Sequence, residues 1–139
     1  AKSDCDCVIE SQRGHDLGRC IYFGSAAPNT GIPGEVGGYS SERVIKSPSD
    51  GIYREICHIG DYVNKDDIIA YADDVPVRAT ISGILRGQLR GGLRVHSGMK
   101  VADIDPRAEK SHCFSISDKA RSIGGSALEA ILKLGREKF

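Results

Sequence analysis

An internal repeat with a period of 32 residues is the feature that most constrains how this chain folds. When residues 44–73 are aligned with residues 76–105, seven positions are identical: Gly51/Gly83, Ile52/Ile84, Arg54/Arg86, Gly60/Gly92, Val63/Val95, Ala70/Ala102 and Asp73/Asp105. The identities fall at turn glycines and apolar positions, which a repeated structural unit must keep. We therefore expect residues 44–105 to contain two copies of one structural unit.

Each copy reads as short β-strands separated by glycine turns. The sequence has 17 glycines and no tryptophan, which favours short strands and a core of Val, Ile and Leu. One copy cannot bury its apolar face alone, whereas two copies around a pseudo-two-fold axis can close into a flattened barrel with few free edges. The sequence therefore predicts a mainly β fold with a two-repeat barrel at residues 44–105.

The segment before the repeat, residues 1–43, is predicted to hold two short strands and a long loop. The strands are expected around Cys7–Ile9 and Cys20–Phe23, and the Gly/Pro-rich loop covers Gly24–Ser41. The chain begins with Ala and soon enters an apolar run, so we expect either a fragment of a longer protein or a chain from which the initiator methionine has been removed.

The segment after the repeat, residues 106–139, is predicted to end in a helix. Ser117 has the character of an N-cap, Asp118 supplies an acidic first turn, and Gly135 is a candidate for the residue just past the helix end. We expect all three segments to pack as one compact domain.

Composition excludes several functional classes. The formal net charge is zero, which gives no electrostatic case for binding nucleic acid or an anionic membrane. No apolar run approaches the roughly 20 residues that span a bilayer, and the N-terminus has no signal-peptide pattern. Five scattered cysteines do not form a secreted disulfide framework, so a cytoplasmic location is expected.

The opening of the repeat resembles biotinyl and lipoyl domains, which have the barrel-sandwich hybrid fold. The resemblance is carried by Ser47–Gly51 and by Ile59–Asp67, a Pro before a polar-Gly turn and then Gly-Asp-x-Val. In those domains the modified lysine lies on the hairpin between the halves. Here that hairpin, Ala72–Val77, contains no lysine, and Lys100 falls inside the second half. We therefore expect no covalently bound cofactor.

Charge is divided unevenly between the two copies. Residues 76–102 carry five Lys or Arg and no acidic residue, whereas residues 61–74 carry five Asp against one Lys, a formal charge of −4. A solvated surface explains such a division most simply. The alternative is that an anionic ligand or an acidic partner docks on Arg86, Arg90 and Arg94.

Cations and amides cluster near turn glycines outside the repeat. These groups can bracket an anion, although turn formation alone also accounts for the glycines. The candidate anion- or cofactor-binding residues are Arg13, His15, Arg19, Asn29, Thr30, Arg107 and Lys119.

Two further groups have catalytic or metal-binding chemistry. Asp103 and Asp105, two apart on a predicted strand, are candidates for a metal or acid–base pair, or else for a salt-bridged corner. Acceptable zinc ligands occur at Cys5, Cys7, His15 and Cys20, but their spacing lacks a knuckle, so we expect no metal site.

Five motifs together resemble the accessory proteins of selenium-dependent molybdenum hydroxylases. They are Gln12–Arg19, Pro28–Gly34, Gly83–Gly87, Gly98–Arg107 and Ile116–Ala120, and they span nearly the whole chain. Members of that family are longer, with an upstream Gly-rich, nucleotide-binding-like half that is absent here. The resemblance implies a bacterial cytoplasmic protein that acts with a xanthine-dehydrogenase-type enzyme and its selenium maturation factors.

The resemblance leaves the reaction open, and three hypotheses follow. The first is a non-catalytic maturation factor that binds an anionic cofactor or the hydroxylase apoenzyme, with the molybdenum cofactor or a selenium species as transient ligand. The second is an enzyme acting on that cofactor or on the selenium donor, with His15 and the Asp103/Asp105 pair as acid and base. The third is a docking module that contacts the apoenzyme, other maturation factors or a second copy of itself.

Overall fold

The computed structural model describes residues 1–30 and 34–136, and the chain divides into two compact units. The smaller unit combines residues 1–31 with residues 116–139, and the larger unit is residues 32–115. The N-terminal segment and the C-terminal helix therefore share one unit, a grouping that differs from the three sequence segments. Gly31, Ile32 and Pro33, part of the Pro28–Gly34 motif, lie outside the described residues.

The smaller unit contains a two-stranded antiparallel sheet and one helix. Strand β1 (Val8–Ile9) pairs with β2 (Cys20–Ile21), and helix α1 covers Asp118–Arg136. The predicted N-cap is confirmed, because the Ser117 hydroxyl accepts a hydrogen bond from the Ala120 amide at 3.1 Å. The expected role of Gly135 is wrong, since α1 continues through it. No helix in the described ranges is long and apolar enough to cross a membrane.

The larger unit contains two four-stranded antiparallel sheets. The sheet orders are β3-β10-β8-β5 and β7-β6-β4-β9. The strands are β3 (Val44–Lys46), β4 (Gly51–Glu55), β5 (Tyr62–Val63), β6 (Ile68–Ala72), β7 (Val75–Arg78), β8 (Gly83–Gln88), β9 (Arg94–Val95) and β10 (Lys100–Asp105). The mainly β character is confirmed, as is the C-terminal helix. The expected barrel is not seen as a closed sheet among the described residues.

Both sheets contribute to one apolar core. Ile45, Leu85 and Ile104 come from one sheet and Tyr53 and Ile69 from the other, and all are almost fully buried. Burial of each large side chain stabilises the fold by about 1.5–3 kcal/mol. The core therefore holds the two sheets together and fixes where the polar ends of their strands emerge.

A glycine is required where β8 begins beside the end of β10. Gly83 has a φ of +155°, and a Cβ at this position would lie 2.5 Å from the Asp105 carbonyl oxygen. Such an approach is closer than a side chain tolerates, so this glycine sets the spacing between the two backbones. It thereby positions the last residues of β10, where several charged side chains meet.

The predicted hairpin between the two copies is a two-residue turn. Ala72 pairs with Val75 in the β6–β7 ladder, which leaves Asp73 and Asp74 at the turn. Asp73 has a φ of 51°, and its carboxylate accepts a hydrogen bond from the Ile52 amide at 2.8 Å. Aspartate tolerates this left-handed conformation better than most residues.

Candidate functional site

A buried carboxylate at the end of β10 is the centre of the main polar cluster. Asp105 is 1% exposed. Its Oδ2 accepts hydrogen bonds from Arg86 Nη1 at 3.0 Å and from Arg107 Nη2 at 2.6 Å. Its Oδ1 accepts from Arg107 Nε at 2.9 Å and from the Arg107 amide at 3.1 Å. Both carboxylate oxygens are thus saturated by charge-assisted hydrogen bonds.

A second set of ion pairs lies two residues earlier on the same strand. Asp103 Oδ2 accepts from Arg43 Nη2 at 3.2 Å, and Lys100 Nζ lies 3.5 Å from Asp103 Oδ1. Arg43 is itself buried, and its other nitrogens donate to the carbonyl oxygens of Ile104 and Gly34. We call the six charged residues of these two sets the β10 ion cluster: Arg43, Arg86, Lys100, Asp103, Asp105 and Arg107.

The β10 ion cluster carries more positive than negative charge. It contains four cations and two carboxylates. The Arg107 side chain is 44% exposed and that of Lys100 is 57% exposed, so the excess charge reaches the surface. A partly exposed cationic cluster of this kind attracts anions, because the two carboxylates hold the guanidinium groups in fixed orientations.

The surroundings of Asp105 disfavour acid–base chemistry there. Hydrogen bonds from the Arg107 side chain, opposed by burial, lower the pKa of Asp105 to about 2. At neutral pH such a carboxyl group has no proton to donate and is a weak base. A bulge between Asp103 and Ile104 also interrupts the alternation that would place the two aspartates together. The geometry therefore favours the salt-bridged corner over a catalytic pair.

The turn of the smaller unit places two of the candidate arginines in ion pairs. Arg13 donates to both oxygens of Asp118, at 2.7 and 2.9 Å, and Arg19 Nη2 lies 2.6 Å from Asp16 Oδ1. All of these side chains are substantially exposed. Arg13 thus joins the turn to the first residue of α1, and this contact lowers the pKa of Asp118.

Two further candidates of this unit, Asn29 and Thr30, follow a loop that is held by Glu10. Glu10, which is buried, accepts hydrogen bonds from the Gln12 amide at 2.8 Å and from the Ala27 amide at 2.7 Å. These contacts lower the pKa of Glu10, with the Ala27 bond as the first cause. Glu10 therefore anchors the loop that leads into the exposed residues Asn29 and Thr30.

The candidate anion-binding residues belong to two different units. Arg13, His15, Arg19, Asn29, Thr30 and Lys119 lie in the smaller unit. Arg107 lies in the larger unit. His15 is exposed, and Lys119 is partly buried next to Asp118 at the start of α1. Their joint role in anion binding stays a prediction.

Two of the three cysteines of the smaller unit, Cys7 and Cys20, are partly buried. Cys20 Sγ lies 3.2 Å from the Ser126 carbonyl oxygen of α1. Burial, followed by the nearby Glu129 and Cys7, raises the pKa of the Cys20 thiol. Within the described ranges, no three His, Cys, Asp or Glu side chains are grouped so as to hold a metal ion. Cys5 and His15 are exposed.

Sequence reasoning missed Arg43. This residue ends a short 3-10 helix, Ser41–Arg43, immediately before β3, and β3 pairs with β10 through Val44 and Asp103. The charge and the polar Ser-Glu-Arg context gave no sign of burial. The sequence feature that could have indicated burial is the position of Arg43 directly before a strand that the repeat predicts to lie in a sheet.

Comparison with known proteins gives one extensive sequence match. No family model matches the chain. A protein of Escherichia coli (strain K12) described as "Uncharacterized protein YqeB" is 47% identical over 134 residues. The match covers 96% of this chain and 25% of that protein, so the chain spans about a quarter of the length of this relative.

Partial likenesses to solved structures also occur. The product-bound Ectoine utilization protein EutE (DoeB) from Ruegeria pomeroyi matches with a TM-score of 0.40 and 25% identity, over 45% of this chain and 22% of that one. An aspartoacylase family protein from Mesorhizobium loti matches with a TM-score of 0.43 and 24% identity, over 50% and 24% of the two chains. Both likenesses cover half of this chain or less.

Proposed function

We propose that this chain is a non-catalytic part of a maturation protein for a selenium-dependent molybdenum hydroxylase. In this role it binds an anionic cofactor or the hydroxylase apoenzyme in the bacterial cytoplasm. The five motifs that resemble the accessory proteins of such hydroxylases support the assignment to this pathway. The β10 ion cluster supports an electrostatic interaction with an anion.

Arg107 is the observation that carries the proposal. It is the last residue of the Gly98–Arg107 motif, and it is also the most directly engaged partner of Asp105. Its side chain is partly exposed at the edge of a cluster with excess positive charge. A guanidinium that a buried carboxylate holds in one orientation adds a fixed positive charge to the surface of this cluster, and such a charge attracts an anion.

A binding role is better supported than a catalytic one. The low pKa of Asp105 leaves this carboxylate poorly suited to exchange a proton at neutral pH, and Asp103 is held in ion pairs with Arg43 and Lys100. Docking to the apoenzyme without any small ligand uses the same surface. The two modes differ in whether an isolated anion binds the chain, which a titration decides.

A genetic complementation experiment tests the maturation role. The gene encoding the protein that contains this chain is deleted in a bacterium that makes such a hydroxylase. Wild type, Arg107→Gln and Lys65→Gln are then returned. Lys65 is an exposed control from the acidic segment, outside the β10 ion cluster.

Hydroxylase activity and the selenium content of the purified enzyme are measured together with the level of the complementing protein. We expect the deletion and Arg107→Gln to lower both readouts severalfold, and Lys65→Gln to restore both. Unchanged activity and selenium content in the deletion strain would contradict the proposed role.

We further propose that residues 44–105 are two copies of one unit in a barrel-sandwich hybrid arrangement. A shift of 32 residues takes β3, β4, β5 and β6 onto β7, β8, β9 and β10, to within one residue at the strand ends. The same shift exchanges the strand order β3-β10-β8-β5 with β7-β6-β4-β9. Each sheet therefore contains strands from both copies.

Backbone details support the same equivalence. Gly51 and Gly83 both have a φ of 155°. The Tyr53 amide donates to the Leu93 carbonyl oxygen and the Leu85 amide to that of Asp61, at 2.8 and 2.9 Å. An experimental structure in which the halves fail to superpose would overturn this proposal.

Covalent cofactor attachment is not part of the proposed function. The β6–β7 turn offers Asp73 and Asp74 where biotinyl and lipoyl domains carry the modified lysine. Intact-mass measurement after expression in a host with biotin and lipoate ligases is expected to give the unmodified mass. An adduct on Lys100 would show that the register of the repeat is wrong.

A further inference from the structure

A cleft of about 310 Å³ lies beside the ends of β4 and β8 in the larger unit. The last residue of each strand, Glu55 and Gln88, contributes to its wall. Ile59 and Leu89 supply apolar surface, and Arg90 supplies a cation. The cleft is within the size range of small-molecule sites and combines apolar surface with a few polar groups.

Glu55 and Arg90 of this cleft do not form an ion pair with each other. Among the described residues, no ion pair within 4.0 Å involves Glu55 or Arg90. Arg86, in contrast, is fixed on the buried Asp105. Glu55 and Arg90 are therefore available to a ligand that carries donors at one end and an anionic group at the other.

The Glu55 carboxylate lies in the space beside Gly91. A Cβ placed on Gly91 would collide with the Glu55 carboxylate, which is the end of a flexible side chain and would have to move aside. The φ of Gly91 is not in the left-handed region, so an alanine at this position would displace the carboxylate without straining the backbone. Gly91 thus lets the carboxylate lie against the backbone next to Arg90.

A buried polar atom in the wall supports a binding role. The buried Gln88 Oε1 and the buried Tyr53 hydroxyl make no hydrogen bond of good geometry among the described residues, although the Gln88 side chain lies near enough to Tyr53 to oppose the rise of its pKa. Burial, followed by the nearby Glu55 and Cys57, raises the pKa of Tyr53 to about 12, so this hydroxyl stays a donor. Unsatisfied buried groups are rare in native proteins and often mark a site that receives a further polar partner.

We propose that the Glu55–Arg90 cleft binds a planar heteroaromatic anion whose ring presents two adjacent N–H donors. The donors pair with the Glu55 carboxylate, the ring lies against Ile59 and Leu89, and the anionic group contacts Arg90. Guanine and pterin rings share this donor edge, and a phosphate completes either ligand. The inference goes beyond the maturation role, because it requires neither the β10 ion cluster nor a partner enzyme.

Titration of the full chain with four probes tests the chemistry. Guanosine 5′-monophosphate and 6-hydroxymethylpterin phosphate carry both features. Guanosine lacks the phosphate, and adenosine 5′-monophosphate lacks the paired donor edge. We expect saturable one-site binding of at least one of the first two ligands. Guanosine and adenosine 5′-monophosphate are expected to bind about tenfold more weakly than that ligand. Whichever phosphate binds more tightly identifies the source of the ring.

Four variants assign the binding to this cleft. Glu55→Gln and Gly91→Ala are expected to weaken binding about tenfold, the first by removing the carboxylate charge and the second by displacing the group. Arg90→Gln is expected to abolish the advantage of the phosphate over guanosine. Gly87→Ala is the matched control, because its Cβ would meet only Asp103 Cβ at an ordinary 3.8 Å.

Two results would overturn the proposal. One is that neither phosphate binds saturably at millimolar concentration. The other is that Glu55→Gln and Arg90→Gln, shown to be folded by their thermal melts, bind like the wild type. Loss of the maturation role in the complementation experiment would leave these binding results unaffected, so the two proposals fail separately.

Discussion

The two units of this protein each contain a short Arg–Asp ion pair, but in opposite surroundings. In the larger unit, Arg107 holds Asp105 with side-chain distances of 2.6 and 2.9 Å. In the smaller unit, Arg13 holds Asp118 at 2.7 and 2.9 Å. Asp105 has a side-chain exposure of 1%, whereas that of Asp118 is 70%. The geometry is nearly the same, and the access to water is not.

This difference shows that distance alone does not measure the contribution of an ion pair. Water can replace an exposed partner at little cost, and salt screens the attraction. A buried carboxylate has no such replacement, so removal of either side leaves an uncompensated charge. We therefore expect Asp105 to be essential for the corner at the end of β10, and Asp118 to make a small contribution to stability.

The largest expected effect comes from the glycine next to the buried pair. Gly83→Ala forces a Cβ to 2.5 Å from the Asp105 carbonyl oxygen at a φ of +155°. We expect a loss of about 3–4 kcal/mol in the free energy of unfolding, or failure to fold. Urea unfolding measures this loss in the free energy of unfolding. Gly18→Ala in the smaller unit is the comparison, because the atoms closest to the Cβ there are the hydroxyls of Ser122 and Ser126, and the backbone lies at an ordinary 3.5 Å. An equal loss in both variants would contradict the reasoning.

The next largest effect concerns the buried carboxylate itself. Asp105→Asn keeps the shape but leaves Arg86 and Arg107 without their counter-ion. We expect a loss of about 2–3 kcal/mol in the free energy of unfolding. Asp74→Asn, on the exposed β6–β7 turn, serves as the control and is expected to change stability by less than about 0.5 kcal/mol. Similar stabilities of the two variants would remove the distinction between the regions.

The pH dependence of stability sharpens the same comparison. The pKa of Asp105 is lowered to about 2 in the folded protein, below its value in the unfolded chain. Its contribution is therefore present above about pH 4 and is lost as the pH falls towards 2. We expect the difference in unfolding free energy between wild type and Asp105→Asn to shrink by about 2 kcal/mol over that window. A difference that is constant with pH would show that charge is not the cause.

The smallest expected effect is at the exposed pair. Arg13→Gln removes the contact with Asp118, and we expect the melting temperature of the helix signal in circular dichroism to change by at most about 2 °C. The change should also diminish in high salt, because the pair is exposed. A drop as large as that of Asp105→Asn would mean that the turn depends on this arginine for its structure.

Local patterns predicted the elements whose physics is local. The cap at Ser117 was readable because a hydroxyl before an acidic first turn satisfies a helix amide within the same turn of chain. The β6–β7 hairpin was readable because Asp73-Asp74 separates two apolar runs. Gly135 was misread, since a glycine inside a helix and one just past its end differ only in the conformation that the following residues allow.

The candidate site was less accessible to sequence reasoning, because its partners are distant in the chain. Arg43 and Asp103 are 60 residues apart, and Arg86 and Asp105 are 19 apart. Arg13 was expected to face an anion, and its observed partner Asp118 is 105 residues away. Each of these pairings is made by strand order, a turn or a helix start that a local pattern does not specify.

The sequence by itself determined that this chain is mainly β, that a 32-residue period runs through residues 44–105, and that no lysine lies on the hairpin between the copies. These follow from turn glycines and apolar spacing, which act over a few residues. Only the tertiary structure decided which charges meet. Asp105 is a paired, ionised carboxylate because it is buried between Arg86 and Arg107. Burial is a property of packed sheets, in which residues far apart in sequence exclude water together.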